Sequence, residues 1–411
     1  MSDREKINKS TGATRRTFLE TAATAAVAGA TTLTGGAALM GARALKKLHI
    51  GVVGGGFGSA FFWHEHPNCV VSAVSDLRAD RRHKLGEHYR CNNVYEEFHP
   101  MLQDPKVDAV ALWTDAPSHA QYAIDILNAG KHVISAVPAA MTLEECARLV
   151  DTVKKTGLTY MLAETSCFHA ATMSARKFRL EGQFGTIYYT QGEYLHDLGE
   201  FHPGGKPSGL LRDADGKPTW RYGFPVAKYP SHANGPIIFV TGDRTAAVTC
   251  IGWKLDNEVY RHNRYNNPFI NITFFCKTRA GNSSRIMIHH HLGADGDIGE
   301  RAEYFGTKML FMEPRFGQPA LISHENGKLQ PWMVEDHSGI LPPELQKYTT
   351  GGHGGSEVYI TNEFVNACVE DRRPLVDVYE AVAYASPGIC AQESALKDSE
   401  WVKVPDFGWH T

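Results

Sequence analysis

The chain has 411 residues, 43% of them hydrophobic, and a formal net charge of −3. That length supplies apolar core for two domains and excludes a fibrous or disordered chain. With acidic and basic side chains nearly balanced there is no basic stripe, which argues against nucleic acid or an anionic membrane surface as a partner.

The first signal in chain order is Thr14-Arg15-Arg16-Thr17-Phe18-Leu19, followed by an uncharged stretch from Thr21 to Ala42 and the small-x-small run Ala42-Arg43-Ala44. This reads as a twin-arginine export signal over residues 1–44, either cleaved near Ala44 or kept as a loose tether. Its removal takes away six basic and three acidic side chains and moves the net charge from −3 to −6. The expectation is a protein handed to the Tat export machinery and delivered to the periplasm or another extracytoplasmic space. That route carries folded proteins, which hints at a tightly held cofactor. The eight cysteines are scattered without a C-x-x-C pair and read as small core residues.

From Leu48 the chain alternates short apolar runs with helical periodicity. Strands are predicted at Leu48–Val53, Val70–Ser75, Ala109–Trp113, His132–Ser135 and Thr159–Ala163. Helices are predicted from the glycine cluster through His64 and at Arg78–Tyr89, Ser118–Asn128 and Leu143–Thr156. The alternation predicts an α/β doubly wound parallel sheet over residues 45–165. Beyond Ser166 a helix at Ala170–Gly182 gives way to runs of alternating polarity: Thr186–His196, Ala246–Trp253, Phe269–Thr278, Arg285–Leu292 and Ala302–Met312. They predict a second α/β domain, residues 166–411, with a large, open, mostly antiparallel sheet. Between the first two runs lies a Gly/Pro/Trp-rich insertion, Phe201–Pro230, too long for an idle connection. Helices return at Glu357–Glu370 and Val378–Leu396.

The glycine cluster reads Gly54-Gly55-Gly56-Phe57-Gly58-Ser59, directly after a strand. Gly54, Gly56 and Gly58 allow close approach of a pyrophosphate to backbone. Asp76 ends the next strand about twenty residues on, where a carboxylate accepts hydrogen bonds from a ribose diol. Together they indicate a bound NAD. Arg78 nearby leaves NADP open.

Three further segments carry a resemblance: Trp113-Thr114-Asp115-Ala116-Pro117-Ser118-His119, Asn128-Ala129-Gly130-Lys131-His132-Val133 and Pro138-Ala139-Ala140-Met141-Thr142-Leu143-Glu144-Glu145. In order and spacing they resemble the Gfo/Idh/MocA oxidoreductases. The resemblance implies a Rossmann domain followed by an α/β domain whose open sheet faces the nicotinamide, with self-association through that sheet. Dehydrogenases of the family carry Glu-Lys-Pro after the Gly-Lys-His-Val strand, the lysine touching the reacting hydroxyl. Here the text is Ala136-Val137-Pro138, without the lysine. That variant is similar to the NAD-dependent α-N-acetylgalactosaminidase branch of glycoside hydrolases. So are Met161-Leu162-Ala163-Glu164-Thr165, Gly192-Glu193-Tyr194-Leu195-His196-Asp197, Tyr229-Pro230-Ser231-His232 and Gly351-Gly352-His353-Gly354-Gly355. Relative to the branch, Ala136 replaces a glutamate and Thr165 an asparagine. The resemblance implies nicotinamide contacts from Phe57, Gly58, Asp76, Ala116, Pro117, Ser118, His119, Ala136, Val137 and Thr165. It implies sugar contacts from Tyr194, Arg221, Tyr229, Pro230, Ser231 and His232.

Hydride removal from a secondary alcohol needs a base for the hydroxyl proton. Without the lysine, the candidates are Tyr194, His196 and His232. Tyr194 and His196 lie two apart on a predicted strand and therefore share a face. Glu164 is a candidate orienting or acid group. His289 and His291 would also share a face, but no third ligand accompanies them, so no metal is expected. Trp220, Tyr222 and Phe224 of the insertion are candidates to stack on a sugar ring. The main expectation is an oxidoreductase acting on a sugar or glycoside. One alternative is a redox-neutral glycosidase that oxidises C3, eliminates across C1–C2, adds water and re-reduces C3. The other is a protein that binds the cofactor or sugar without turnover.

Overall fold

The structure, a computed structural model, describes residues 47–198, 209–292, 299–315, 317–325 and 327–408. All of these lie in one compact unit, Ala44–Thr411. The twin-arginine segment and the start of the insertion, residues 201–208, are outside the described residues.

The N-terminal sheet contains β1 (Leu48–Val53), β2 (Cys69–Ser75), β3 (Val94–Tyr95), β4 (Ala109–Leu112), β5 (His132–Ser135) and β6 (Tyr160–Leu162). They are all parallel in the order β3-β2-β1-β4-β5-β6. Its middle strands are buried on both faces, as in Ala109-Val110-Ala111-Leu112, which is why they read as continuous apolar runs. The connecting helices are α1 (Ala79–Tyr89), the short α2 (Phe98–Met101), α3 (His119–Asn128) and α4 (Leu143–Thr156). The start of α4 is fixed by a capping box: Glu145 N donates to Thr142 Oγ1 at 3.1 Å, and the Glu145 carboxylate accepts from Thr142 N. Gly157 ends it in the left-handed region.

One prediction fails here. The glycine turn leads into two single 3₁₀ turns, Gly58–Ala60 and Trp63–Glu65, and not into an α-helix. Aromatic packing accounts for this: Phe61 stacks on Trp113 at 4.1 Å and on Trp63 at 5.6 Å, and Phe57 meets Phe61 edge-on. Burying these rings along the segment replaces a one-sided amphipathic helix.

After α5 (Ala170–Leu180) comes β7 (Ile187–Leu195), then α6 (Ser231–Thr241), β8 (Thr245–Lys254), α7 (Glu258–Arg261), β9 (Phe269–Thr278) and β10 (Ser283–His289). The predicted strand Ala302–Met312 is a hairpin, β11 (Gly299–Gly306) and β12 (Met309–Met312), because Thr307 and Lys308 turn the chain. β13 (Ala320–His324) and β14 (Gln330–Trp332) extend it. Then α8 (Ser356–Val369), α9 (Val378–Leu396) and β15 (Val402–Lys403) follow. The nine-stranded order is β14-β13-β12-β11-β7-β10-β9-β8-β15, antiparallel except where β7 and β10 run parallel. α6 was not legible as a helix. It carries Pro236 and is buried nearly all round, so no polar stripe marks its period.

The C-terminal segment returns to the first sheet. Leu162 N donates to Val376 O at 2.9 Å, covering the β6 edge. Trp63 packs edge-on against Phe364 of α8. All eight cysteines are buried and unpaired.

Candidate active site

The glycine turn lies at the C-terminal end of β1. Gly54 has φ +94°, and a Cβ there would come within 2.3 Å of Trp113 O, so only glycine fits. At Gly56 a Cβ would meet only the Arg81 guanidinium, at 3.5 Å, leaving that backbone approachable. The Asp76 carboxylate accepts from Gly55 N at 2.6 Å and from Arg78 N at 2.8 Å, which fixes it at the end of β2. The Arg78 guanidinium turns instead to Asp80, at 3.0 Å. The group ending β2 is therefore a carboxylate, suited to a ribose diol and repelling a 2′-phosphate.

At the ends of β4 and β6, Thr114 Oγ1 and Thr165 Oγ1 are buried without a hydrogen-bond partner. Orphaned buried polar atoms beside a glycine cradle fit a nicotinamide dinucleotide. His119 behaves differently from the expectation. It is 1% exposed, with Nδ1 3.0 Å from Pro138 O and Nε2 2.8 Å from Thr114 O, and desolvation lowers its pKa. It ties the loop after β4 to the loop after β5 and is not a direct cofactor contact. Ala116 is equally buried, at 1%, while Pro117 is exposed and Ser118 and Ala136 are half-buried. Val137, 7% exposed, follows Ala136.

Tyr194 lies on β7, its ring stacked on His196 at 5.7 Å and 7°. The two share the sheet face, as the spacing predicted. Gly192 brings α6 onto that face: a Cβ there would lie 2.0 Å from Ala233 O. The close approach sets His232, in the first turn of α6 after Pro230 and the buried Ser231, 4.8 Å from the Tyr194 ring. Tyr229 is 5.3 Å from His232, and Arg221 lies over both Trp220 and Tyr229 at 4.3 and 5.3 Å. Phe224 is edge-on to Trp220 at 5.2 Å, whereas Tyr222 packs with Leu198 and Leu211 in a separate small cluster.

Glu164 is fully buried. Its Oε1 accepts from Ser166 N at 3.0 Å and lies 2.8 Å from His232 Nδ1. Glu300, on β11 directly across from Tyr194, approaches the same nitrogen at 3.7 Å and accepts from the Ser166 hydroxyl. Desolvation opposes a charge on His232, but the Glu164 and Glu300 carboxylates outweigh it and raise its pKa well above the usual histidine range. Desolvation likewise works against charge on Glu164, yet His232 holds its carboxyl below the usual range. His232 is thus an imidazolium between two carboxylates. One ligand atom from each of the three residues lies within 4.8 Å of the others, a spacing that would also suit a metal ion.

Sequence reasoning did not single out Glu300 or His290. Glu300 sits in a Gly/Asp-rich run with no strand alternation before it. His290 is the middle of three histidines: it lies 5.8 Å from Tyr194 and is 5% exposed, while His291 stacks on Trp253 on the other side of the sheet. Burial, then Arg221, lower the His290 pKa far below its usual value.

A Rossmann half with a carboxylate ending β2, joined to an open sheet whose face carries Tyr194, His196 and a Glu–His–Glu array, defines an NAD-dependent enzyme of the oxidoreductase fold. Residues 48–164 match the Gfo/Idh/MocA oxidoreductase family, NAD-binding Rossmann fold, and residues 321–410 match the glycosyl hydrolase 109 C-terminal domain. The chain therefore joins a Gfo/Idh/MocA NAD-binding domain to a glycosyl hydrolase 109 C-terminal domain. It is similar to an α-N-acetylgalactosaminidase of Bacteroides fragilis, 26% identical over 342 residues, 75% of this chain and 76% of that one. It is also similar to a glycosyl hydrolase family 109 protein of Streptomyces coelicolor, 23% identical over 407 residues, 87% and 82% of the two chains. Among solved structures, an oxidoreductase domain protein from Kribbella flavida superposes with a TM-score of 0.73, at 18% identity over 88% of this chain and all of that one (100%). Levoglucosan dehydrogenase, in complex with NADH and levoglucosan, gives 0.71 at 20% identity, with the same 88% and 100% coverage.

Proposed function

We propose that this chain is a redox-neutral, NAD-dependent glycosidase. The observation that carries it is the array around Tyr194: where a dehydrogenase of this fold holds a lysine there are Ala136 and Val137, and the site is built on a phenol beside a clamped imidazolium. Bound NAD would supply the hydride acceptor and donor for a sugar ring carbon. Phe57, Gly58, Asp76 and Thr165 hold the cofactor, while Arg221, Trp220 and Tyr229 offer a rim for the sugar. Tyr194 Oη takes the C2 proton, made acidic by a neighbouring carbonyl, and His232 stabilises the negative charge that develops on the carbonyl oxygen as that proton leaves. Glu164 and Glu300 keep His232 charged, so His232 serves as a donor in this reading and not as the base.

The test is a panel of aryl glycosides and free sugars in deuterated water. The expected result is release of the aryl group with deuterium at C2 and no lasting absorbance of reduced nicotinamide. Lasting reduction with a free sugar would instead make the protein a net oxidoreductase. Silence across the panel would favour binding without turnover.

Two features of the setting belong to the same proposal. Arg15 and Arg16 support export by the twin-arginine route: replacing both with Lys is expected to leave the protein in the cytoplasmic fraction, and unchanged fractionation would sink that reading. The outer sheet face carries exposed Tyr188, Ile251, Trp253 and Phe275, an apolar surface suited to a second copy of this chain. The solution mass by light scattering is expected to be a multiple of the chain mass, and a monomer would contradict it.

A further inference from the structure

Ile286, Ile288 and His290 occupy alternate positions at the end of β10 and so belong to one face of the sheet. Register fixes which face: Ile288 pairs with Tyr194, and both isoleucines are fully buried at 0% exposure. The next position on that face is His290, an imidazole where the alternation calls for a third aliphatic side chain. It is 5% exposed, edge-on to Tyr194 at 5.8 Å and to His196 at 6.4 Å.

The backbone there is held without any help from the imidazole. Asn271 of β9 accepts at Oδ1 from His290 N at 2.9 Å and from His291 N at 3.0 Å, and its Nδ2 donates to His291 O at 2.7 Å. Leu198 N donates to His290 O at 3.1 Å, tying the chain beyond β7 to the same turn. The ring is left over: its buried Nε2 has no hydrogen-bond partner among the described residues. A buried polar nitrogen gives up its water on folding, and native structures leave few such atoms unpaired unless a ligand completes them. The surroundings say which ligand. Burial, and after it the positive charge of Arg221, hold the His290 pKa far below its usual value, whereas the carboxylates around His232 keep that ring charged. His290 is therefore a neutral imidazole, with hydrogen on one ring nitrogen and a lone pair on the other. An ammonium group only donates and is repelled by Arg221; a carboxylate only accepts. A hydroxyl does both, and so matches Nε2 in either tautomer.

Resting on the glycosidase reading for its substrate, we propose that His290 is a substrate-binding, specificity-determining residue whose Nε2 pairs with a sugar hydroxyl other than the one oxidised. The ring lies against Tyr194, so a sugar whose C2 meets the Tyr194 hydroxyl lies beside His290 as well. His290 transfers no proton and no electron. It acts by difference: a sugar with the matching hydroxyl completes the nitrogen, and one without it shuts out water and leaves the nitrogen unpaired.

The experiment measures Kd and kcat/KM on full-length protein loaded with NAD. The probes are p-nitrophenyl α- and β-D-glucosides and galactosides and their 2-, 4- and 6-deoxy analogues, all of which keep the 3-hydroxyl. In the wild type, one deoxy position is expected to weaken binding about 10- to 10²-fold. His290→Leu is expected to weaken the parent sugar by the same factor and that one analogue by less than about twofold, because both changes remove the same hydrogen bond. The other analogues should fall with the parent. His290→Gln, which keeps a polar end, is expected to restore part of the discrimination. Without sugar, the Tm of His290→Leu is expected to equal or exceed that of the wild type, since carbon replaces an unpaired buried nitrogen. Equal losses across the panel in His290→Leu, or discrimination unchanged from the wild type, overturn the assignment, as does a wild type that binds none of these sugars. Sugars that bind with the expected pattern and are not cleaved would support the role of His290 and contradict the glycosidase reading alone.

Discussion

Glu164→Ala is expected to cost about 3–5 kcal/mol of stability, the usual loss when one partner of a buried ion pair is removed. Glu164 is fully buried and 2.8 Å from His232, so its loss leaves a charged imidazole with Glu300 alone, at 3.7 Å and partly exposed. The pair also predicts a pH dependence. His232 titrates higher in the folded chain than in the unfolded one, so its contribution is complete below about 6.5 and drains away as pH rises through the raised value. Glu164 titrates lower when folded, so its contribution is present above about 4.5 and is lost as pH falls through the depressed value. The pair therefore stabilises most between about pH 4.5 and 6.5. Thermal melts from pH 5 to 9 are expected to show Tm falling more steeply with pH in the wild type than in Glu164→Ala. Parallel curves, or a Tm within a degree of the wild type at pH 6, would refute the coupling.

Tyr194→Phe is expected to lower kcat/KM about 10²- to 10⁴-fold, the range for loss of a positioned acid–base group. Phenylalanine preserves the ring that packs 4.8 Å from His232 and 5.7 Å from His196, and NAD binding is made elsewhere, so cofactor affinity should stay within about twofold. Deuterium incorporation at C2 should vanish with turnover. Substantial exchange in Tyr194→Phe would move the base to His196 or His290, the neighbouring imidazoles on that face.

Much of this was legible in the sequence where local chemistry decides structure. Helices α4 and α9 begin and end at the predicted residues because caps mark them: Thr142 and Gly157 for the first, and Asp377, accepting from Tyr379 N and Glu380 N, for the second. β9 was equally plain from its alternation. The glycine turn and Asp76 followed from spacing along one strand–turn–strand unit. What could not be read were juxtapositions between distant segments. Glu164 and His232 meet only because Gly192 and Gly235 let α6 settle against β7 and against the Glu164 side chain. His119, expected at the cofactor, is buried by a loop nineteen residues away in sequence. Glu300 gave no sign because its role depends on register across β7, which periodicity along its own strand does not reveal.

The bond from Leu162 to Val376 sets an order on biosynthesis. The strand edge it covers belongs to the first half of the chain, and the residue that covers it is translated more than two hundred residues later. Until Val376 leaves the ribosome, the nascent nucleotide-binding half exposes an unpaired β edge of the sort that recruits other chains. That edge is covered only once the C-terminal segment has been made, more than two hundred residues after the strand it protects.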